Sequence, residues 1–151
     1  MSGKARYPKI VVTPPGPKAR EVIRADESCI SKSMVRWYPL VAESGSGCIV
    51  KDVDGNEYID FNSGLAVLNV GHCHPRVVSA IAEQTKRLIH YSYTDFYYQP
   101  IVDLGVELAK ITPGDFSKRV FFSNSGSEAI EAAMKMSKWH TRNGLFLAYT
   151  G

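Results

Sequence analysis

The sequence predicts an α/β fold, a mostly parallel sheet flanked by helices and preceded by a segment built on a β-hairpin. Three observations carry this. Beyond residue 100 the order reads helix, apolar run, small-residue loop, helix, apolar run, an alternation that argues for parallel strands with helices on their faces. "CIVKDVDGNEYIDF" alternates apolar and polar residues on both sides of Asp54-Gly55, the pattern of a hairpin. Hydrophobic residues make up 44% of the chain and charged residues 22%, a globular balance that gives these apolar runs a core to fill. Two parallel strands do not make a finished sheet, so the expected fold is incomplete, the front part of something longer.

Taken in order, "TPPGP" (13–17) fixes several φ angles and reads as an extended arm. A short helix over 18–27 carries Ala19, Val22 and Ile23 among charges. "RWYPLV" (36–41) reads as extended and "ESGSG" (43–47) as a turn. The Asp-Gly pair then predicts a type I′ hairpin, in which both central residues need positive φ. Leu65 to Val70 form an apolar run that breaks at Gly71. Pro75 suits the first turn of a helix over 75–89, whose Val77, Val78, Ile81, Ala82, Leu88 and Ile89 fall roughly on one face. An aromatic segment follows (90–100). The next helix runs from Ile101 to Ile111, with Leu104 and Leu108 at three- and four-residue steps. Strand 119–123, helix 127–141 and strand 145–149 complete the reading, with Met134 and Met136 expected to face the core.

The net charge of +3 is small and its cations are scattered, which argues against nucleic acid. No apolar run is long enough to span a bilayer, and the first twenty residues hold no signal-peptide core. Three cysteines at irregular spacing, Cys29, Cys48 and Cys73, do not form a disulfide framework, so a reducing, cytoplasmic setting is expected.

The stretch most open to a functional reading is "RVFFSNSGSEAIEAAMKMSKWHT" (119–141). A strand that feeds a helix through Ser125, Gly126 and Ser127 lets a phosphate approach free backbone N–H groups at the positive end of the helix dipole. It lacks the Walker lysine and the three spaced glycines of a dinucleotide site, so a mononucleotide or pyridoxal phosphate fits better. The same residues are also S-x-x-E, a capping box in which Ser125 serves the N3 amide and Glu128 reaches back. Spacing alone favours the cap and leaves both readings open.

Three other clusters carry less. His72-Cys73-His74 has no second ligand pair, and a turn leading into Pro75 explains it better than a metal. His74 reads as an N-cap or packing residue. Asp52, Asp54 and Asp60 lack the later glutamate of a calcium loop. Tyr91, Tyr93, Tyr97 and Tyr98 have no basic surround for nucleobase stacking, so an interface or core role is expected.

Two blocks, "YPLVAESGSGCIVKDVDGNEYIDFNSGLAVLNVGHCHPRVVSAI" and "VFFSNSGSEAIEAAMKMSKWHT", resemble in order and separation the class III, pyridoxal-phosphate-dependent aminotransferases, above all the 4-aminobutyrate and ornithine-type ω-aminotransferases. The resemblance covers about residues 14–151. It implies the N-terminal part of a fold-type I pyridoxal-phosphate (PLP) transferase, with 1–70 as the arm, helix and hairpin on the small-domain side and 71–151 as the beginning of the large PLP-binding domain. It places the cofactor phosphate on Gly126 and Ser127, with Ser125 adjacent. Leu65, in "GLAV", becomes a wall of the substrate pocket. Tyr97 belongs to a segment that reaches toward the cofactor of a neighbouring subunit. A homodimer follows for the full-length family, as does amino transfer from a small-molecule donor such as 4-aminobutyrate or ornithine to a 2-oxo acid such as 2-oxoglutarate.

The resemblance also implies what to look for elsewhere. The Schiff-base lysine and the pyridine-binding aspartate of the family lie downstream of the phosphate turn, beyond Gly151. No lysine here stands in a matching context, and Lys135 and Lys138 are expected in surface pairs. No catalytic residue is therefore assigned, and the chain alone is expected to be inactive and marginally stable. Two alternatives stay open: a non-catalytic binding module or one piece of a split enzyme, and a PLP-dependent racemase on the same scaffold.

Overall fold

The computed structural model describes residues 6–150, which divide into two compact units, one ending at Ile89 and the other beginning at His90. The first unit opens with an arm that pairs with a later strand. Lys9 and Glu57 exchange backbone hydrogen bonds of 2.8 and 2.9 Å. Helix α1 (Pro17–Cys29) follows, longer at both ends than the periodicity implies. Pro17 leaves the arm and starts the helix because its missing N–H costs nothing at that position.

Strands β1 (Ala42–Ser46), β2 (Ile49–Asp52) and β3 (Glu57–Ile59) form an antiparallel sheet in the order β1-β2-β3. Two sequence expectations change here. "ESGSG" is not a turn: 43–46 lie in β1, and Gly47, at φ 57, turns the chain into β2. Gly45 makes room for a side chain, since a Cβ there would stand 2.7 Å from the His72 ring. The hairpin at Asp54-Gly55 forms, but not as type I′. Gly55 alone has positive φ, at 92°, and its N–H donates to the Asp52 carbonyl at 3.1 Å.

The β2–β3 loop is the most densely bonded part of the chain. Asn56 has 0% of its surface exposed and Asp52 has 3%. Asp52 Oδ1 accepts from the amides of Asp54 (3.0 Å) and Asn56 (2.8 Å), and its Oδ2 accepts from Asn56 Nδ2 (2.8 Å) and the Tyr58 hydroxyl (2.9 Å). Asn56 Oδ1 accepts from the amides of Val11 (2.7 Å) and Val12 (2.9 Å), which fastens the arm. The Asp54 carboxylate accepts from the amides of Lys18 and Ala19, each at 3.0 Å, and so caps α1 from 35 residues away. Gly16 precedes that helix because a Cβ there would collide with the Asp54 carboxylate.

Helix α2 (Pro75–Arg87) ends two residues before the predicted Ile89, with Lys86 and Arg87 suitably placed at the negative end of its dipole. The second unit holds α3 (Gln99–Ile111) and α4 (Gly126–Thr141). Arg142 closes α4 in the left-handed conformation (φ 57), with its guanidinium 4.3 Å from the centre of the Trp139 ring.

The expected strands at 119–123 and 145–149 do not form. Neither segment meets a partner strand among the described residues, and an apolar run without a partner has no ladder to join. The expected core positions of α4 differ too: Met134 and Met136 are exposed. Ala19 is the one buried hydrophobic residue among those described. The chain's apolar helix faces are uncovered surfaces.

Two predictions follow from the buried loop. Asn56→Ala strips the shared acceptor from two amides and one donor from Asp52, and should destabilise the first unit by about 2–4 kcal/mol in urea unfolding, read on that unit. Burial pushes the Asp52 carboxyl upward, but the hydrogen bonds from Asn56, Tyr58 and Asp54 outweigh it and hold the carboxyl below its ordinary 3.8. A depressed folded pKa contributes stability that is complete above the ordinary value and is lost as pH falls through the lowered one. Acid unfolding should therefore steepen below pH 3.8, and Asp52→Asn should flatten that slope in stability measured between about pH 2 and 5.

Candidate cofactor-binding turn

The junction before α4 shows how a cap and a binding turn share one helix end. Ser125 is the N-cap, extended at φ −151 and ψ 161, and its Oγ accepts from the Glu128 amide at 3.2 Å. Glu128 turns back, and its Oε2 accepts from the Asn124 amide at 2.7 Å, one residue earlier than a standard capping box would place it. The Ala129 amide donates to the Ser125 carbonyl at 3.1 Å, and Ser123 Oγ donates to the same carbonyl at 3.2 Å.

That accounting leaves two groups. The amides of Gly126 and Ser127 have no acceptor among the described residues, and a Cβ at Gly126 would meet open space. Both point from the first turn of a helix, where N–H groups lack intrahelical partners. The cap takes the third amide and spares the first two. The donor set suits a phosphate: two backbone N–H groups at a helix N-terminus, flanked by exposed serine hydroxyls, with the Glu128 carboxylate tied back to Asn124.

No lysine of this unit bonds the turn among the described residues, although Lys135 lines one surface hollow with Ser123, Asn124 and Glu128. Lys135 pairs with Glu131 at 2.8 Å on the exposed face of α4, as expected. Lys110 pairs with Glu107 at 4.0 Å, and Lys118 bonds the Gly114 carbonyl. Lys138 is on α4 beside Trp139 and Arg142. In the aromatic segment, Tyr91 and Phe96 stack with ring centres 4.8 Å apart, and the Tyr93 hydroxyl donates to the Phe122 carbonyl at 3.1 Å. Tyr97 is fully exposed and makes no such contact.

Leu65 stands in the first unit, 84% exposed, on a turn of unusual backbone. Ser63, Gly64, Leu65 and Ala66 have φ of 52, 62, 62 and 63°, one turn of left-handed helix. For residues other than glycine this conformation costs roughly 1–2 kcal/mol each, so the surroundings must impose it. Asp60 Oδ1 accepts from the amides of Asn62 (2.7 Å) and Ser63 (2.9 Å), and Asn62 Oδ1 accepts from the Leu65 amide at 2.8 Å. Asp60 Oδ2 bonds His72 Nε2 at 2.6 Å. That bond, then the Ser63 and Asn62 amides, hold the Asp60 carboxyl below the usual carboxylate range. His72 is pinned through its backbone, which exchanges hydrogen bonds of 2.8 and 3.1 Å with Gly47.

Sequence reading passed over Asp60 and His72 as parts of two failed metal clusters. The signal that could have found them is Gly45 in β1, which clears space for an imidazole. His74, expected as an N-cap or packing residue, is the N-cap of α2, but its side chain makes no capping bond and its Nδ1 is buried without a partner.

Comparison with known proteins places these features in a family. Residues 30–145 match the model of aminotransferase class III, and the chain belongs to that family. It is 40% identical over 146 residues to the alanine/serine racemase of Pyrococcus horikoshii, covering 96% of this chain and 31% of the relative. It is 36% identical over 132 residues to the 4-aminobutyrate aminotransferase GabT of Escherichia coli, covering 87% and 31%. Among solved structures, the N-acetylornithine aminotransferase of Stenotrophomonas maltophilia superposes with a TM-score of 0.66 at 38% identity, over 80% of this chain and 30% of that one.

The chain thus spans about a third of the length of the relatives it matches. It is a partial α/β segment, the N-terminal part, of the fold-type I architecture of PLP-dependent aminotransferases.

Proposed function

We propose that the chain is the N-terminal portion of an enzyme that uses PLP to move an amino group from an ω-amino or amino-acid donor, 4-aminobutyrate, ornithine or a similar compound, to a 2-oxo acid such as 2-oxoglutarate. The observation that carries this reading is the pair of unpartnered amides of Gly126 and Ser127 beside a satisfied cap. Those two N–H groups hold the cofactor phosphate, and Ser125 keeps the helix end open by taking the Glu128 amide for itself. Bound there, the cofactor supplies an electron sink for the carbon that gives up or receives the amine. Leu65 and Tyr97 contact the amino donor. The working enzyme is a cytoplasmic homodimer in which 1–70 belong to the small domain and 71–151 begin the large one.

The chain by itself does not catalyse the transfer. Among the described residues, no lysine is bonded to any group of the phosphate turn. A second reading, racemisation of an amino acid on the same scaffold, is favoured by one finding, the 40% identity to an alanine/serine racemase over nearly the whole chain. A donor panel on the natural full-length protein separates the two: amino transfer yields a new carbonyl compound, and racemisation changes only stereochemistry.

Gly126→Pro is the sharpest test of the phosphate site. Proline is tolerated at the first helical position, and the extended Ser125 before it suits a following proline, so the helix should persist while one N–H is lost. Removing one hydrogen bond to a charged group should weaken PLP binding about 10- to 100-fold in a fluorescence titration of the full-length protein. Unchanged affinity would remove the phosphate from this turn. In the isolated chain, PLP followed by borohydride should leave no stoichiometrically labelled lysine, and a single fully labelled one would overturn its assignment as a non-catalytic portion.

A further inference from the structure

We propose that Asp60 and His72 are positioning residues that hold the left-handed turn Ser63–Ala66, and through it Leu65, in the orientation that selects the aliphatic part of the amino donor. The inference rests on the reading of Leu65 given above, but its structural half stands on geometry alone. Three residues other than glycine sit at positive φ in one turn; side chains take the amides of Asn62, Ser63 and Leu65, and the Ala66 amide closes the turn on the Asn62 carbonyl at 2.9 Å. Asp60 is the hub. One of its oxygens takes the two amides that enter the turn, and the other is held by His72 at 2.6 Å.

His72 in turn cannot drift. Its backbone is bridged to Gly47, and its ring packs where Gly45 has no Cβ. Gly71, at φ 85, approaches so closely that a Cβ there would stand 3.0 Å from the Gly47 carbonyl oxygen. Gly45 thus clears the imidazole, Gly71 clears the backbone bridge to Gly47, and that imidazole serves one carboxylate. The output is an exposed apolar side chain on rigid backbone, which suits contact with methylene groups rather than with a carboxylate or ammonium group. The ligand class is the alkyl spacer of an amino donor, with donors of different chain length discriminated by where Leu65 stands.

The test uses the natural full-length protein and three variants, Asp60→Ala, Leu65→Ala and the double. Hydrogen exchange reads the structural half: Asp60→Ala should speed exchange of the Ser63 and Leu65 amides at least about tenfold while the α2 amides stay within about twofold. Donor kinetics read the functional half. Each single variant should change the kcat/KM ratio between a long and a short ω-amino donor by about fivefold or more, chiefly through KM, and the double should change it no further than one single does. PLP affinity should stay within about twofold in all three. Asp60→Asn, which keeps a carbonyl acceptor for the two amides, should restore part of the ratio. Unchanged exchange at Ser63 and Leu65 would overturn the positioning role outright. Faster exchange with additive effects on the donor ratio would overturn the link to Leu65. If the full-length protein binds no PLP and transfers no amine, the proposed function fails, and the exchange result still decides whether Asp60 holds the turn.

Discussion

Asn56 has no exposed surface, and its side chain is bonded in two directions. Its oxygen holds the amides of Val11 and Val12, and its nitrogen is held by Asp52. Nothing else described in this chain is as enclosed. A buried amide and a buried carboxylate are costly unless they are hydrogen-bonded; here the Asp52 carboxylate takes four donors, and the Asn56 side chain takes two amides and donates to Asp52. The outcome is a polar hub in place of an apolar core. It ties the arm and β3 to β2, while neighbouring Asp54 caps α1. In the first unit the bulk of the specific structure leads back to the seven residues from Asp52 to Tyr58.

The remaining surface complements that hub. The helices are well formed by local rules, with proline in the first turn of α1, α2 and α3 and a serine cap on α4. Their apolar faces meet little. Helix propensity and caps are worth a few kcal/mol at most, and helices in proteins draw most of their stability from a packed face. With a single buried hydrophobic residue described, the chain is organised by hydrogen bonds and capped ends and awaits its packing. Relatives roughly three times its length carry the same segment, which fits faces built to be covered.

How far the sequence could be read follows from the range of each interaction. Helices were legible because period and proline act within a few residues, and their ends moved by only one or two positions. The capping box was legible for the same reason. The long-range uses of Asp54 and Asn56 were not, because their partners lie 35 to 45 residues away and local spacing cannot name them. Glycine misled at β1, where it was taken as punctuation for a turn and proved to be clearance for His72. Apolar runs at 119–123 and 145–149 have the composition of buried strands, but burial and pairing depend on neighbours outside the run, and Phe121, Leu145 and Leu147 stay exposed. The left-handed turn had no local signature beyond Gly64, since Ser63, Leu65 and Ala66 ordinarily avoid that region.

Capping and anion binding at Ser125-Gly126-Ser127 began as rivals and share the helix end by division. A cap that consumes only the third amide, with an acidic side chain drawn back to Asn124, leaves the first two amides aimed outward. The most direct measurement is a crystal structure of the natural full-length protein with PLP bound. The account predicts phosphate oxygens within about 2.7–3.2 Å of the Gly126 and Ser127 amides, with Ser125 Oγ still accepting from Glu128. A phosphate held by another element, or a bound state in which that cap has opened, would contradict it.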